Sequence, residues 1–103
     1  MHKTTMSNEL SVPPGAMKDK KACELVRAWI AHGGLHCSFN VSAWDDDHAA
    51  IGWGILLTDI ARHVANALHE TKNWNQQETI NKIRAVFNAE LNSPTAEVKG
   101  KFV

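Results

Sequence analysis

The chain has 103 residues, of which 44% are hydrophobic and 21% are charged. This length corresponds to one domain, and the hydrophobic fraction excludes a wholly disordered chain. Eleven basic residues balance eleven acidic residues, so the charge indicates neither a nucleic-acid partner nor an anionic membrane surface. The longest apolar run, residues 49–57, is shorter than the about 20 residues that cross a bilayer.

Residues 1–17 predict a flexible N-terminal leader, because the segment Val12-Pro13-Pro14-Gly15 interrupts helices and central strands. Residues 18–103 then form a single domain. Its first helix is predicted from Lys18 to Ala31 and ends at Gly33-Gly34, because apolar residues in that range follow amphipathic helical spacing. These apolar residues are Ala22, Leu25, Val26, Trp29 and Ile30.

A strand is predicted over residues 35–42, where apolar and polar residues alternate. The inward face of this strand comprises Leu35, Cys37, Phe39 and Val41. The outward face comprises His36, Ser38, Asn40 and Ser42. The two cysteines of the chain, Cys23 and Cys37, are too few for a disulfide framework and predict free thiols in a reduced, cytoplasmic protein.

Two longer helices are predicted in the second half of the chain. The first runs from about His48 to Glu70 behind an aspartate cap at 45–47. Its apolar side comprises Trp53, Leu56, Leu57, Ile60, Val64, Ala67 and Leu68. The second begins with Asn75 as its cap, Glu78 reaching back, and stops at Ser93-Pro94. The alternating tail at 96–102 is either a strand that pairs with residues 35–41 or a frayed end.

These elements predict an α+β fold in which three amphipathic helices pack with one or two short strands. The predicted order is α-β-α-α, with or without a last strand. Because a sheet of one or two strands is marginal in water, we expect the strand edge around His36–Asn40 to pair with a second copy of the chain.

Asp59 and His63 are the strongest candidates for catalysis. They stand at i and i+4 on one helix, where a carboxylate can orient an imidazole as a general base. The alternative interpretation is a solvated polar stripe, shared with Arg62, Asn66 and Glu70. This alternative is favoured, because such charge pairs are common on exposed helix faces.

A metal site could use His36 and His48 with Asp45 and Asp47 of the turn. The spacing matches no established metal motif, so ordinary surface histidines and a helix cap are favoured instead. The sequence therefore predicts no cofactor. Trp44 and Trp74 lie at element ends, where each packs over the rim of the core or anchors a partner.

Several segments of the chain resemble a known family. They are MSNEL at 6–10, VPP at 12–14, GGLHCS at 33–38, WGILL at 53–57, DIARHVA at 59–65 and RAVFNAE at 84–90. Together they resemble DUF5076, a small bacterial family of unknown function, over residues 6 to about 103. The resemblance implies a compact bacterial cytosolic domain that naturally starts at Met6. It implies no activity and no catalytic residues.

We therefore expect the protein to act by association, with itself or with another protein, rather than by catalysis. The expected contact surfaces are His36, Ser38 and Asn40 on the strand, the helical stripe Asp59, Arg62, His63 and Asn66, and the anchors Trp44 and Trp74. The first alternative is a ligand-binding or hydrolase-like domain that uses Asp59 and His63. The second is a metal-binding module built on His36, Asp45, Asp47 and His48.

Overall fold

A computed structural model describes residues 8–95 and the strand at 98–102. The elements are α1 (Pro14–Lys18), β1 (Val26–Ala31), β2 (Gly34–Phe39), α2 (Ala49–Lys72), α3 (Gln76–Asn92) and β3 (Val98–Phe102). The predicted α+β class is confirmed. The described residues form three helices, of which α2 and α3 are the second and third predicted ones, and the order is α-β-β-α-α-β. Of the predicted leader at 1–17, the residues before 8 and the predicted start at Met6 lie outside the described residues, whereas residues 14–17 belong to α1.

The helix predicted from Lys18 to Ala31 is wrong. Residues 26–31 form strand β1, and the one short helix in this region, α1, ends at Lys18. A two-residue turn joins β1 to β2, with His32 at φ 51° and Gly33 at φ 73°. Positive φ at both central residues makes the tight hairpin turn whose twist suits two antiparallel strands. The residues that mimic helical spacing, Val26, Trp29 and Ile30, are β-branched or aromatic and suit a strand equally well.

The sheet has the order β1-β2-β3, so β2 is its central strand. β2 pairs antiparallel with β1 and parallel with β3, and the tail is therefore a strand rather than a frayed end. The prediction of a free strand edge at His36–Asn40 is wrong within β2, because the backbone of β2 is hydrogen-bonded to a strand on each side. The register places Val26, Ala28 and Ile30 opposite Phe39, Cys37 and Leu35, so these six residues share one apolar face.

The two long helices closely follow the sequence prediction. α2 spans Ala49–Lys72 and ends at Asn73 in the left-handed conformation. α3 begins after Asn75, whose side-chain oxygen accepts a hydrogen bond from the Glu78 backbone N–H at 2.9 Å. The short connection makes α2 and α3 a helical hairpin.

An aromatic cluster joins the sheet to the N-terminal end of α2. Phe39 of β2 meets Trp53 of α2 edge to face, with ring centroids 5.9 Å apart. Trp44 meets the same Trp53 ring at 5.4 Å. Gly52 makes room for Trp44, because a Cβ at this position would lie 2.5 Å from two carbons of the Trp44 ring. The sheet therefore contacts α2 through the first turns of the helix.

Candidate functional site

The most informative surface is an apolar stripe along α2, which we call the seam. It consists of Trp53, Leu57, Ile60, Val64 and Ala67. Their positions are separated alternately by four and three residues, the spacing that keeps apolar side chains on one line of a helix that packs against another helix. The seam lies within the apolar side of α2 that the sequence predicts.

The sheet covers only the first residue of the seam. Trp53 packs against Phe39 and Trp44, but the exposed fractions of Leu57, Ile60 and Val64 are 49%, 40% and 42%. Beyond Trp53 the seam thus continues the surface that packs on the sheet, and no element of the described part of the chain buries it.

Burial in the described part of the chain is correspondingly small. Its buried hydrophobic side chains are Cys37 and Ala65. On the apolar sheet face, Ile30 is 78% exposed. The chain exposes 9139 Å² of surface, about 3,300 Å² more than the roughly 5,800 Å² expected for a folded monomer of this mass. Its radius of gyration is 15.9 Å, against about 13 Å for a compact domain of this length.

A second apolar feature is the hairpin groove, a cleft of about 500 Å³ between α2 and α3. It is lined by Gly54, Leu57, Thr58, Ala61, Arg62, Gln77, Ile80, Ile83, Arg84 and Phe87. Its walls are mainly aliphatic and aromatic, with one arginine from each helix. None of the lining residues is acidic.

The arginines of the described residues differ in their electrostatic surroundings. Arg27 of β1 forms ion pairs with Glu9 and with Glu24, and its Nη2 lies 3.1 Å from Glu24 Oε1. The hydrogen bond and charge of Glu24, assisted by Glu9, raise the pKa of Arg27 above its ordinary value. Arg62 and Arg84 have no ion-pair partner within the described ranges.

The predicted polar stripe lies exposed on α2, as Asp59, Arg62, His63 and Asn66. The structure does not bring Asp59 and His63 into an ion pair or a hydrogen bond with each other. Arg62 is the member of the stripe that reaches the hairpin groove. The catalytic role of Asp59 and His63 stays a prediction.

The predicted metal ligands are divided between two places. Asp45 Oδ1 lies 2.6 Å from His48 Nδ1 and also accepts the His48 backbone N–H at 3.0 Å, so this pair closes the turn before α2. His36 lies on β2, with its ring centroid 6.4 Å from that of His32. Within residues 8–95 and 98–102, no three His, Cys, Asp or Glu side chains are grouped to hold a metal ion.

The remaining predicted contact residues have different surroundings. Trp44 packs within the chain, whereas Trp74 is 50% exposed and lies 5.5 Å from the Lys72 ammonium group. His36 and Ser38 are half-buried on β2. Asn40 follows β2, donates its backbone N–H to Leu25 and accepts one from Ser42 through its side chain.

The two thiols differ in exposure. Cys23 is exposed, whereas Cys37 is buried on the apolar sheet face. The predicted inward orientation of Cys37 is therefore confirmed.

Sequence reasoning missed two features of this surface. It identified the apolar side of α2 but did not single out the seam, whose 4-3-4-3 spacing was the signal that could have found it. It also missed Arg84, which shares the hairpin groove with Arg62 only because α3 folds back along α2.

Comparisons with known proteins agree with the family resemblance. Residues 9–95 match the model of a family described as a domain of unknown function, DUF5076. No curated protein matches the sequence. None of the described helices has the length and apolar character needed to cross a membrane.

One similar solved structure is named "Structure of a putative pyruvate dehydrogenase from the photosynthetic bacterium Rhodopseudomonas palustrus CGA009". It is 33% identical, with a TM-score of 0.65, and the match covers 91% of this chain and 93% of that chain. The two chains are therefore similar over nearly their whole lengths.

Proposed function

We propose that this chain, which belongs to the DUF5076 family, acts by self-association, as a homodimer in which two copies join along the seam of α2. The observation that carries the proposal is the exposure of Leu57, Ile60 and Val64 on the continuation of the surface that the sheet covers at Trp53. Apolar side chains on one line favour burial against another apolar surface.

A second copy of the chain suits this surface. A twofold interface uses the same patch on both chains, and two α2 helices running antiparallel would bring Ile60 of each copy close to Val64 of the other. The net charge of the chain is zero, so two copies do not repel each other through their overall charge.

The exposed side chains of the seam supply apolar area to such an interface. A standard interface removes about 800 Å² of surface from each partner. Leu57, Ile60 and Val64 are each 40% or more exposed in one chain. Joining along the seam would cover the apolar side chains that stay exposed beyond Trp53 in one chain.

Light scattering coupled to size-exclusion chromatography tests the proposal. The unaltered chain is expected to elute with the mass of two chains. Val64→Asp is expected to elute as one chain, because an unpaired carboxylate buried at the interface costs about 2–5 kcal/mol per copy. Val64 is 42% exposed in one chain, so this variant is expected to keep its helical circular dichroism.

Asn66→Asp is the matched control, since it adds the same charge on the same helix two residues away from Val64 and off the seam. It is expected to remain a dimer. A dimer that survives Val64→Asp, or one that Asn66→Asp disrupts equally, would place the interface elsewhere. An unaltered chain that elutes as a monomer would refute self-association itself.

A further inference from the structure

We propose that the hairpin groove is a binding site for an amphipathic carboxylate, a molecule with one anionic head and an extended apolar tail. The groove is separate in function from the seam, although Leu57 borders both. Its volume of about 500 Å³ falls within the range of small-molecule sites, which are mostly apolar with a few polar groups.

The apolar walls define the tail of the ligand. Leu57 and Ala61 from α2 face Ile80, Ile83 and Phe87 from α3 across the groove. Phe87 is 47% exposed, so its ring remains accessible to a ligand. A Cβ built at Gly54 would meet no atom within 4 Å, which shows that the groove is open at this lining position. Burial of an alkyl chain against these walls would remove apolar surface from water, which favours binding.

The two arginines define the head of the ligand. Arg62 and Arg84 come from different helices, line the same groove and have no ion-pair partner among the described residues. Arg27 of the same chain contrasts with them, because it is paired with two glutamates. A guanidinium group presents its donors in a planar fork that matches a carboxylate, so two of them beside an apolar groove favour an anionic head over a cationic one.

Isothermal titration of the full chain with sodium dodecanoate, kept below its micellar concentration, tests this proposal. We expect one dodecanoate bound per chain and no comparable binding of dodecyltrimethylammonium, which has the same tail and the opposite charge. Arg62→Gln and Arg84→Gln are each expected to weaken binding about tenfold or more, since hydrogen bonds to charged groups are the stronger ones.

Two further variants test the place of binding. Lys82→Gln removes a positive charge from α3 outside the groove lining and is expected to bind dodecanoate normally. Gly54→Leu places a side chain in the groove and is expected to abolish binding. Its thermal unfolding is measured alongside, and the two arginine variants test the site independently if Gly54→Leu fails to fold.

Several results would overturn the proposal. These are no binding of dodecanoate, equal binding of the cationic amphiphile, binding unchanged in both arginine variants, or binding only to phosphatidylglycerol vesicles, which would indicate a lipid surface. Binding by Val64→Asp but not by the unaltered chain would also overturn it, because the second copy and not a ligand would then occupy the groove in the unaltered protein. Because dodecanoate binding and oligomeric mass are measured separately, failure of this proposal is distinguishable from failure of the seam dimer.

Discussion

The close approach of Trp44 to Gly52 leads us to predict opposite effects on stability for alanine at two glycines of α2, Gly52 and Gly54. Replacing a glycine inside a helix by alanine normally stabilises the helix by about 1 kcal/mol. At Gly52 the new Cβ would lie 2.5 Å from two carbons of the Trp44 ring and 2.9 Å from a third. Ordinary contacts begin near 3.4 Å, so the ring would have to move by about 1 Å.

Movement of the Trp44 ring would disrupt its packing, because the ring packs edge to face on Trp53, which in turn packs on Phe39. Overpacking of this kind costs about 1–3 kcal/mol. Gly52→Ala is therefore expected to lower the free energy of unfolding by roughly 1 kcal/mol, after the gain in helix propensity is subtracted. This change corresponds to a decrease in Tm of about 4–8 °C.

Gly54→Ala is the matched control, because a Cβ at Gly54 meets no atom within 4 Å. This variant is expected to raise the free energy of unfolding by up to about 1 kcal/mol. Urea unfolding at one fixed protein concentration measures both variants, and near-ultraviolet circular dichroism follows the Trp44–Trp53 contact. A Gly52→Ala variant as stable as Gly54→Ala would refute the reasoning about the aromatic cluster.

Three further changes test local features of the fold. Asn75→Ala is expected to destabilise the chain by about 0.5–2 kcal/mol in urea unfolding, because it removes the cap of α3, whereas the exposed Asn88→Ala is expected not to destabilise it. His32→Asn is expected to raise the thermal midpoint slightly, since asparagine tolerates the positive φ of the hairpin turn better than histidine does; an unchanged or lower midpoint would contradict this explanation. Hydrogen bonds from Thr95 lower the pKa of the Glu90 carboxyl, so the stabilisation is present above its ordinary pKa and is lost as pH falls through the lowered value. Thr95→Ala is expected to raise that pKa toward its ordinary value in a carboxyl NMR titration, and an unchanged titration would contradict the assignment.

The sequence predicted the long helices well because their local signals agree with their tertiary setting. α2 is long enough for its apolar period to be unambiguous, and the Asn75 cap marks the start of α3 within one residue. The β1 region is short, and its apolar residues fit both the helical and the strand templates. The deciding signal was the His32-Gly33 pair, which is a hairpin turn and not a helix end.

The parts of the candidate site that were missed depend on long-range contacts. The pairing of β3 beside β2 was one of the two alternatives for the tail, but the pairing of β1 on the other side of β2 was missed, and the two together remove the expected free edge. Likewise, the apolar period of α2 indicates which residues would be stabilised by burial, but the extent of the sheet decides which of them are covered. Trp53 is covered and Val64 is not, although both lie on the same line of one helix.

The polar candidates illustrate the same limit. Asp59 and His63 have the spacing of an interacting pair, but their side chains do not form a hydrogen bond or an ion pair. Arg62 and Arg84 are 22 positions apart and become neighbours of one groove through the turn between α2 and α3. Spacing within one helix therefore overestimates the interaction between Asp59 and His63. It cannot detect that Arg62 and Arg84 line the same groove.

Native mass spectrometry of the full, unaltered chain tests the central claim of self-association most directly. Spectra recorded from low to high micromolar concentration are expected to show the mass of two chains as the main species, with single chains increasing on dilution. The same series with Val64→Asp is expected to show single chains throughout. A single-chain mass for the unaltered protein at every concentration would contradict the account.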